Sequence, residues 1–119
     1  MLALTVKQPF AWAIVAGVKD VENRSWRPPR GLIGKRIWIH AGSQPHPLWE
    51  DLYGDIPVPP LAFGAILGSV TVADIVLSSP SRWFLGPIGW VLRDARMLKR
   101  PRSMPGRQGL WSYPSRRLA

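Results

Sequence analysis

The chain reads as a small α+β domain: a strongly bent or closed, mostly antiparallel β-barrel-type sheet with one or two short helices packed against it. Three observations predict this. Apolar, β-branched segments of strand length recur along the whole sequence. Thirteen prolines and eleven glycines interrupt them at short intervals and leave no room for long helices. The longest apolar stretch, "LAFGAILGSVTVADIVL" at 61–77, carries interior glycines of the kind that bend a strand into barrel wall.

Each element follows in order. "LALTV" (2–6) is apolar and partly β-branched, a first strand. Pro9 suits the first turn of a helix, where its missing N–H has no intrahelical partner, so "PFAWAIVAG" is the first helix. Phe10, Ala13, Ile14 and Gly17 keep helical spacing, and Gly17 is placed to end the helix in the left-handed conformation. "DVENR" opens a short strand, and "RPPRGLIG" is a loop because adjacent prolines remove backbone donors. "KRIWIHAG" (35–42) alternates as a strand, residues 44–54 form a short helix around Leu48, Trp49 and Leu52, and "DIPVPP" stops it. After the long strand at 61–77, "GWVLRDARML" (89–98) alternates again and "GLWSY" (109–113) is a last strand before a partly frayed tail.

With 119 residues the chain has material for one domain, 1–119, and one core. Hydrophobic residues at 46% exclude wholesale disorder, and no apolar run reaches the roughly 18 residues of a membrane helix. No secretory leader pattern opens the sequence and there is no cysteine, which excludes a disulfide frame, a thiolate zinc site and a cysteine nucleophile and fits a cytoplasmic protein.

Sixteen Lys and Arg against seven Asp and Glu give a formal charge of +9, so an anionic partner is expected, with no membrane. Half of the basic residues fall in segment 93–119: Arg93, Arg96, Lys99, Arg100, Arg102, Arg107, Arg116 and Arg117. The first six of these are candidate phosphate contacts. A basic balance by itself does not separate RNA from DNA, and solubility alone is a simpler use for it.

The densest charge of both signs lies in "GVKDVENRSW" (17–26), where helix should meet sheet. Gly17, Lys19, Glu22 and Arg24 follow the G-x-K-x-x-E-x-R pattern, which resembles that of the ASCH domain, a member of the PUA-like superfamily. "LTVKQPFAWAIVAGVKDVENRSWR" resembles the family's opening, "IWIHAG" its I-H-A-S strand, "SRWFLGPIGWVLRDAR" its S-x-W-F-x-G-P-x-G-F segment, and "PGRQGLW" its closing strand. Lys7 stands where arginine is common and Phe10 where tryptophan is. The resemblance implies a PUA-like pseudo-barrel with a cleft beside the first helix, floored by the charged motif. It also implies a nucleotide or RNA partner, with a modified base in some relatives. Other relatives are hydrolases that cleave N4-acylated cytosine nucleosides or cut RNA with a divalent metal. In the deacylating relatives a threonine stands at the position of Glu22, so this chain departs where a nucleophile is wanted.

Chemistry assigns roles within that frame. Lys19 and Arg24 offer donors to a phosphate or base carbonyl, and Glu22 an acceptor for an exocyclic amine. In an enzyme, Lys19 and Glu22 would be the catalytic pair, activating water and stabilising an oxyanion. The simpler alternative is that Glu22 only pairs with Lys19 or Arg24 to tie the helix end to the sheet. Lys7 and Gln8 precede the helix and join the candidate ligand-binding set. Seven tryptophans are many for this length, and bases stack on such rings, so Trp12, Trp26, Trp83 and Trp90 are candidates, with core packing as the alternative for each. Trp38 and Trp111, mid-strand, read as structural. His40 is a candidate base or ligand contact, against a core role. His46, between Pro45 and Pro47, makes no metal spacing with it, and no serine-nucleophile elbow, P-loop or dinucleotide motif occurs. No metal or other cofactor is expected. The sequence therefore favours a binding module for RNA or a nucleotide, with DNA as a further candidate. The alternatives are a small amidohydrolase acting on N4-acylcytosine nucleosides, a metal-dependent ribonuclease, or an interaction domain for an acidic peptide.

Overall fold

The computed structural model describes residues 1–113. The elements are β1 (Leu2–Gln8), α1 (Phe10–Val15), β2 (Val21–Arg24), β3 (Arg36–Pro45), α2 (Trp49–Tyr53), β4 (Ala65–Val76), β5 (Ile88–Ser103) and β6 (Leu110–Ser112). They build one six-stranded sheet in the order β2-β5-β4-β3-β1-β6. Only β1 and β3 run parallel; every other neighbouring pair is antiparallel. No helix of the described residues is long and apolar enough to cross a membrane.

Alternation along the strands sends Leu4, Val6, Ile37, Ile39, Ala41, Val70 and Val72 to one face, where α1 packs with Ala11, Ala13 and Ile14 fully buried. Gln8 serves as the helix's side-chain cap. Its Oε1 accepts the N–H of Trp12 at 2.9 Å, while its Nε2 donates to the Ala62 carbonyl at 2.8 Å. Pro9 sits one residue before the helix rather than in its first turn.

The expected closure into a barrel is not what forms. β2 and β6 remain the two edges of an open sheet. β2 has four residues and runs out before the Pro28–Pro29 loop, and β6 has only three, so neither edge is long enough to zip to the other. Instead the Arg24 side chain crosses the seam and Nη2 donates to the Thr5 carbonyl on β1 at 2.9 Å. Bend comes from bulges between β4 and β5, near Gly68, where a Cβ would lie 2.1 Å from the Arg96 carbonyl oxygen.

β5 is longer than the sequence suggests, continuing past Leu98 and through Pro101 to Ser103. β2 pairs with it only as far as Val91. Beyond that β5 has β4 alone as a neighbour, and a proline is tolerated on the free side of such a strand. The basic run 93–103 is therefore strand. Arg116 and Arg117 of the expected tail lie outside the described residues.

Candidate functional site

The site begins at the end of α1. Gly17 has φ +77, its N–H reaches the Ile14 carbonyl at 3.1 Å, and the Val18 N–H reaches the Ala13 carbonyl at 2.9 Å, the pair of bonds that defines a Schellman stop. The Lys19 N–H joins the same Ala13 carbonyl at 2.9 Å, so the turn delivers the Lys19 side chain back under the helix, where it is 3% exposed. β2 follows at once, and its period of two puts Glu22 and Arg24 on the same side.

These three side chains form one linked group. Lys19 Nζ donates to the Val21 carbonyl and, at 2.9 Å, to Glu22 Oε1. Glu22 Oε2 accepts Arg24 Nε at 3.0 Å, and Arg24 Nη2 lies 2.9 Å from the same oxygen in the ion pair. Burial pushes the Glu22 carboxyl upward, but the two cations and their hydrogen bonds outweigh it and hold the pKa below its ordinary 4.5. Glu22 is thus a firmly ionised carboxylate with most of its acceptor capacity used. Donors remain: among the described residues no partner takes the Nη1 protons of Arg24 or the third proton of the Lys19 ammonium, whose Nζ lies 5.4 Å from the Phe10 ring centroid.

A cavity of about 420 Å³ opens above this floor, in the seam where the sheet fails to close. One wall is Thr5, Val6 and Lys7 of β1, another is Gln108 and Gly109 just before β6, and a third is Leu85 and Gly86. Asn23 builds that third wall: its Oδ1 accepts the N–H groups of Leu85 at 2.8 Å and Gly86 at 3.0 Å, and its Nδ2 donates to the Trp83 carbonyl at 2.9 Å. α2 and the residues that lead into it supply the fourth, with His46, Leu48 and Leu52. Among the described residues Glu22 is the only carboxylate lining the cavity, against Lys7, Lys19 and Arg24, so its polar side is cationic.

His46 was not expected here. Its N–H donates to the Gln8 carbonyl at 2.7 Å, its ring meets Phe10 edge to face at 4.9 Å, and its Nδ1 accepts the Leu48 N–H at 3.1 Å. That acceptance fixes the neutral ring with the proton on Nε2, and burial followed by the charge of Lys7 holds its pKa below 6.5.

Of the residues singled out from the sequence, Lys7, Lys19, Glu22 and Arg24 line the cavity. Trp26, 37% exposed, stands beside it next to Gly109. The others lie elsewhere. Gln8 is spent on the helix cap and Trp12 packs half-buried against the core. Trp83 is buried in a stack with Tyr53 at 4.2 Å, beneath α2. Trp90 is fully buried under Trp26, its Nε1 without a hydrogen-bond partner among the described residues. His40 is locked by Thr5 Oγ1 at 3.3 Å and the Met104 carbonyl at 2.9 Å, with Gly106 pressed on its ring. Arg93, Arg96, Lys99, Arg100, Arg102 and Arg107 are exposed, the first five along β5. Among the described residues no three His, Asp or Glu side chains gather to hold a metal.

The chain is an open, bent sheet with a short helix on one face and a cation–carboxylate–cation floor in its seam, and its family match and the solved structures it resembles support the PUA-like class for it. Within that class the family is shown by sequence: the family model of the ASCH domain matches residues 4–90, and the chain belongs to the ASCH domain family. Among solved structures it is similar to ASCH from Zymomonas mobilis, with TM-score 0.64 and 22% identity over 92% of this chain and 85% of that one. A serine-to-alanine mutant of that protein gives TM-score 0.59 at 22% identity, covering 92% and 85%. A tyrosine-to-phenylalanine mutant gives 0.54 at 23% identity, covering 86% and 74%. Among curated proteins no relative matches.

Proposed function

We propose that this domain binds RNA or a nucleotide, taking a base or phosphate into the seam cavity and setting the exposed arginines and lysines of β5 against neighbouring phosphates. The observation that carries the reading is the imbalance of the cavity's polar groups: among the described residues Lys7, Lys19 and Arg24 keep donors to offer while Glu22, the one carboxylate there, is already held by two cations. Such a floor favours an anion or a carbonyl-bearing base edge. Leu48, Leu52 and Phe10 supply apolar surface for the flat part of the ligand. Membership of the ASCH domain family supports the same reading.

Glu22 serves in this reading as the anchor that aims Lys19 and Arg24, not as an acceptor for an exocyclic amine. The same pairing argues against hydrolysis with Glu22 as base, since a carboxylate stabilised below its ordinary pKa is a poor proton acceptor near neutrality. Lys7 gives the test because it lines the cavity yet is exposed, so its substitution leaves the core alone. A labelled RNA trinucleotide titrated by fluorescence anisotropy into wild type and Lys7→Glu, at low and high salt, is expected to lose on the order of tenfold or more in affinity in the variant. Part of the wild-type affinity should persist at high salt, because base contacts respond less to salt than phosphate contacts do. Equal binding by both proteins would overturn the reading.

A further inference from the structure

The face of the sheet turned away from α1 carries a second feature that the cavity does not use. Cross-strand partners share a face. The register therefore places Trp111, Ala3, Trp38, Ser69 and Arg96 in one row across β6, β1, β3, β4 and β5. A neighbouring row joins Thr5, His40, Ile66 and Arg102 across β1, β3, β4 and β5. Ala3 and Ile66 are buried beneath this cluster at 0% and 1% exposure, while Trp38, Trp111 and Tyr113 are half-buried above it. Tyr113 sits edge-on to both indoles, 6.3 Å from Trp38 and 6.1 Å from Trp111. The rings are held in place: Trp111 Nε1 donates to Thr5 Oγ1 at 3.0 Å, and Arg102 Nη1 donates to the Tyr113 hydroxyl at 2.9 Å.

Fixed aromatic rings on a sheet face, bordered by arginines, are what unstacked bases and their phosphates require. Around the cluster stand Arg36, Arg96 and Arg102, and these two rows contain no carboxylate. Thr5 links this face to the cavity, because it lines the cavity and holds Trp111. We infer that Trp38, Trp111 and Tyr113 form a stacking platform for single-stranded nucleic acid, so that a strand with one nucleotide in the seam lays its neighbours over these rings and its phosphates against Arg96 and Arg102. The inference rests on the nucleic-acid reading of the domain, but the platform is a separate surface and fails or holds separately.

The test compares a nucleoside monophosphate and an RNA octanucleotide in wild type, Trp38→Leu, Tyr113→Ala and Lys7→Glu. In wild type the octanucleotide is expected to bind on the order of tenfold tighter or more, the gain that stacking a further base or two provides. Trp38→Leu and Tyr113→Ala should lose most of that gain and bind the monophosphate as wild type does, whereas Lys7→Glu should weaken both ligands and keep the gain. A readout on the unsubstituted protein guards against misfolded variants: the indole N–H resonances of Trp38 and Trp111 should shift with the octanucleotide and stay still with the monophosphate. An undiminished gain in the platform variants, still indole resonances, or displacement of the octanucleotide by polyglutamate as readily as by unlabelled RNA would each overturn the platform alone. Failure of wild type to bind either ligand would overturn the nucleic-acid reading together with it.

Discussion

At the scale of single residues, the behaviour of the site turns on Glu22. It sits between Lys19 and Arg24 with 7% of its surface exposed, and removing it leaves two cations facing each other in a poorly hydrated place. Breaking a buried ion pair from one side costs about 3–5 kcal/mol, and Glu22→Ala is expected to destabilise by an amount of that order. Lys19→Met should cost less, because Glu22 keeps Arg24. Folding lowers the Glu22 pKa, so its contribution to stability is fully present above the ordinary value of 4.5 and is lost as pH falls through the lower folded value. Urea denaturation of wild type between pH 7 and pH 3 should show that loss, and Glu22→Gln should start lower and vary less with pH. Identical pH profiles would mean that the cations do not hold the carboxylate as described. The motif residues were legible in the sequence because they are local, all within one helix stop and one short strand. His46 and Asn23 were not, because what makes them useful is distant in sequence: α2 folding back on Phe10, and the 81–87 loop crossing β2.

At the scale of elements, the helix stop at Gly17 is the joint that aims the floor. Its φ of +77 is costly for any residue with a Cβ, although no atom lies within 4 Å of where that Cβ would be. The penalty for Gly17→Ala is therefore backbone strain alone, about 1 kcal/mol. Because the Lys19 N–H shares the Ala13 carbonyl with this turn, the variant should also weaken nucleotide binding while Lys19 and Glu22 are intact. Thermal denaturation and the trinucleotide titration check both parts, and a loss of several kcal/mol would point to a steric role that the geometry does not contain. Most elements could be read from the sequence to within a few residues, since glycine and proline mark their ends. The exceptions were the start of α2, expected at 44 and found at Trp49 because β3 runs on to Pro45, and the end of β5. Pro101 reads as a stop locally and is admitted only because β2 has already left that side of the strand, a fact of pairing that no local pattern carries.

For the molecule as a whole, one property explains where a ligand can go: the sheet bends far enough to bring β2 toward β1 but not far enough to pair them. The gap is spanned by Arg24, walled by Asn23's loop and by α2, and electropositive because two cations and one carboxylate meet there with Lys7 beside them. Sequence patterning predicted the bent sheet and overshot to closure, since alternation and glycine bends are the same in an open sheet and a barrel and only edge length decides between them. It also could not sort the tryptophans. Trp83 and Trp90, which read as stacking candidates, are core, while Trp38 and Trp111, which read as structural, stand half-exposed on the outer face, because strand register rather than composition chooses the face. The central claim is that the open seam receives a nucleotide. Its most direct test is an NMR titration of isotope-labelled protein with a nucleoside monophosphate, following backbone amides and the Arg24 side chain. The account predicts saturable shifts gathered at Lys7, Lys19 to Arg24, Leu85–Gly86 and Gln108–Gly109, with β5 beyond Arg93 little changed. Shifts confined to the exposed arginines of β5, or none that saturate, would contradict it.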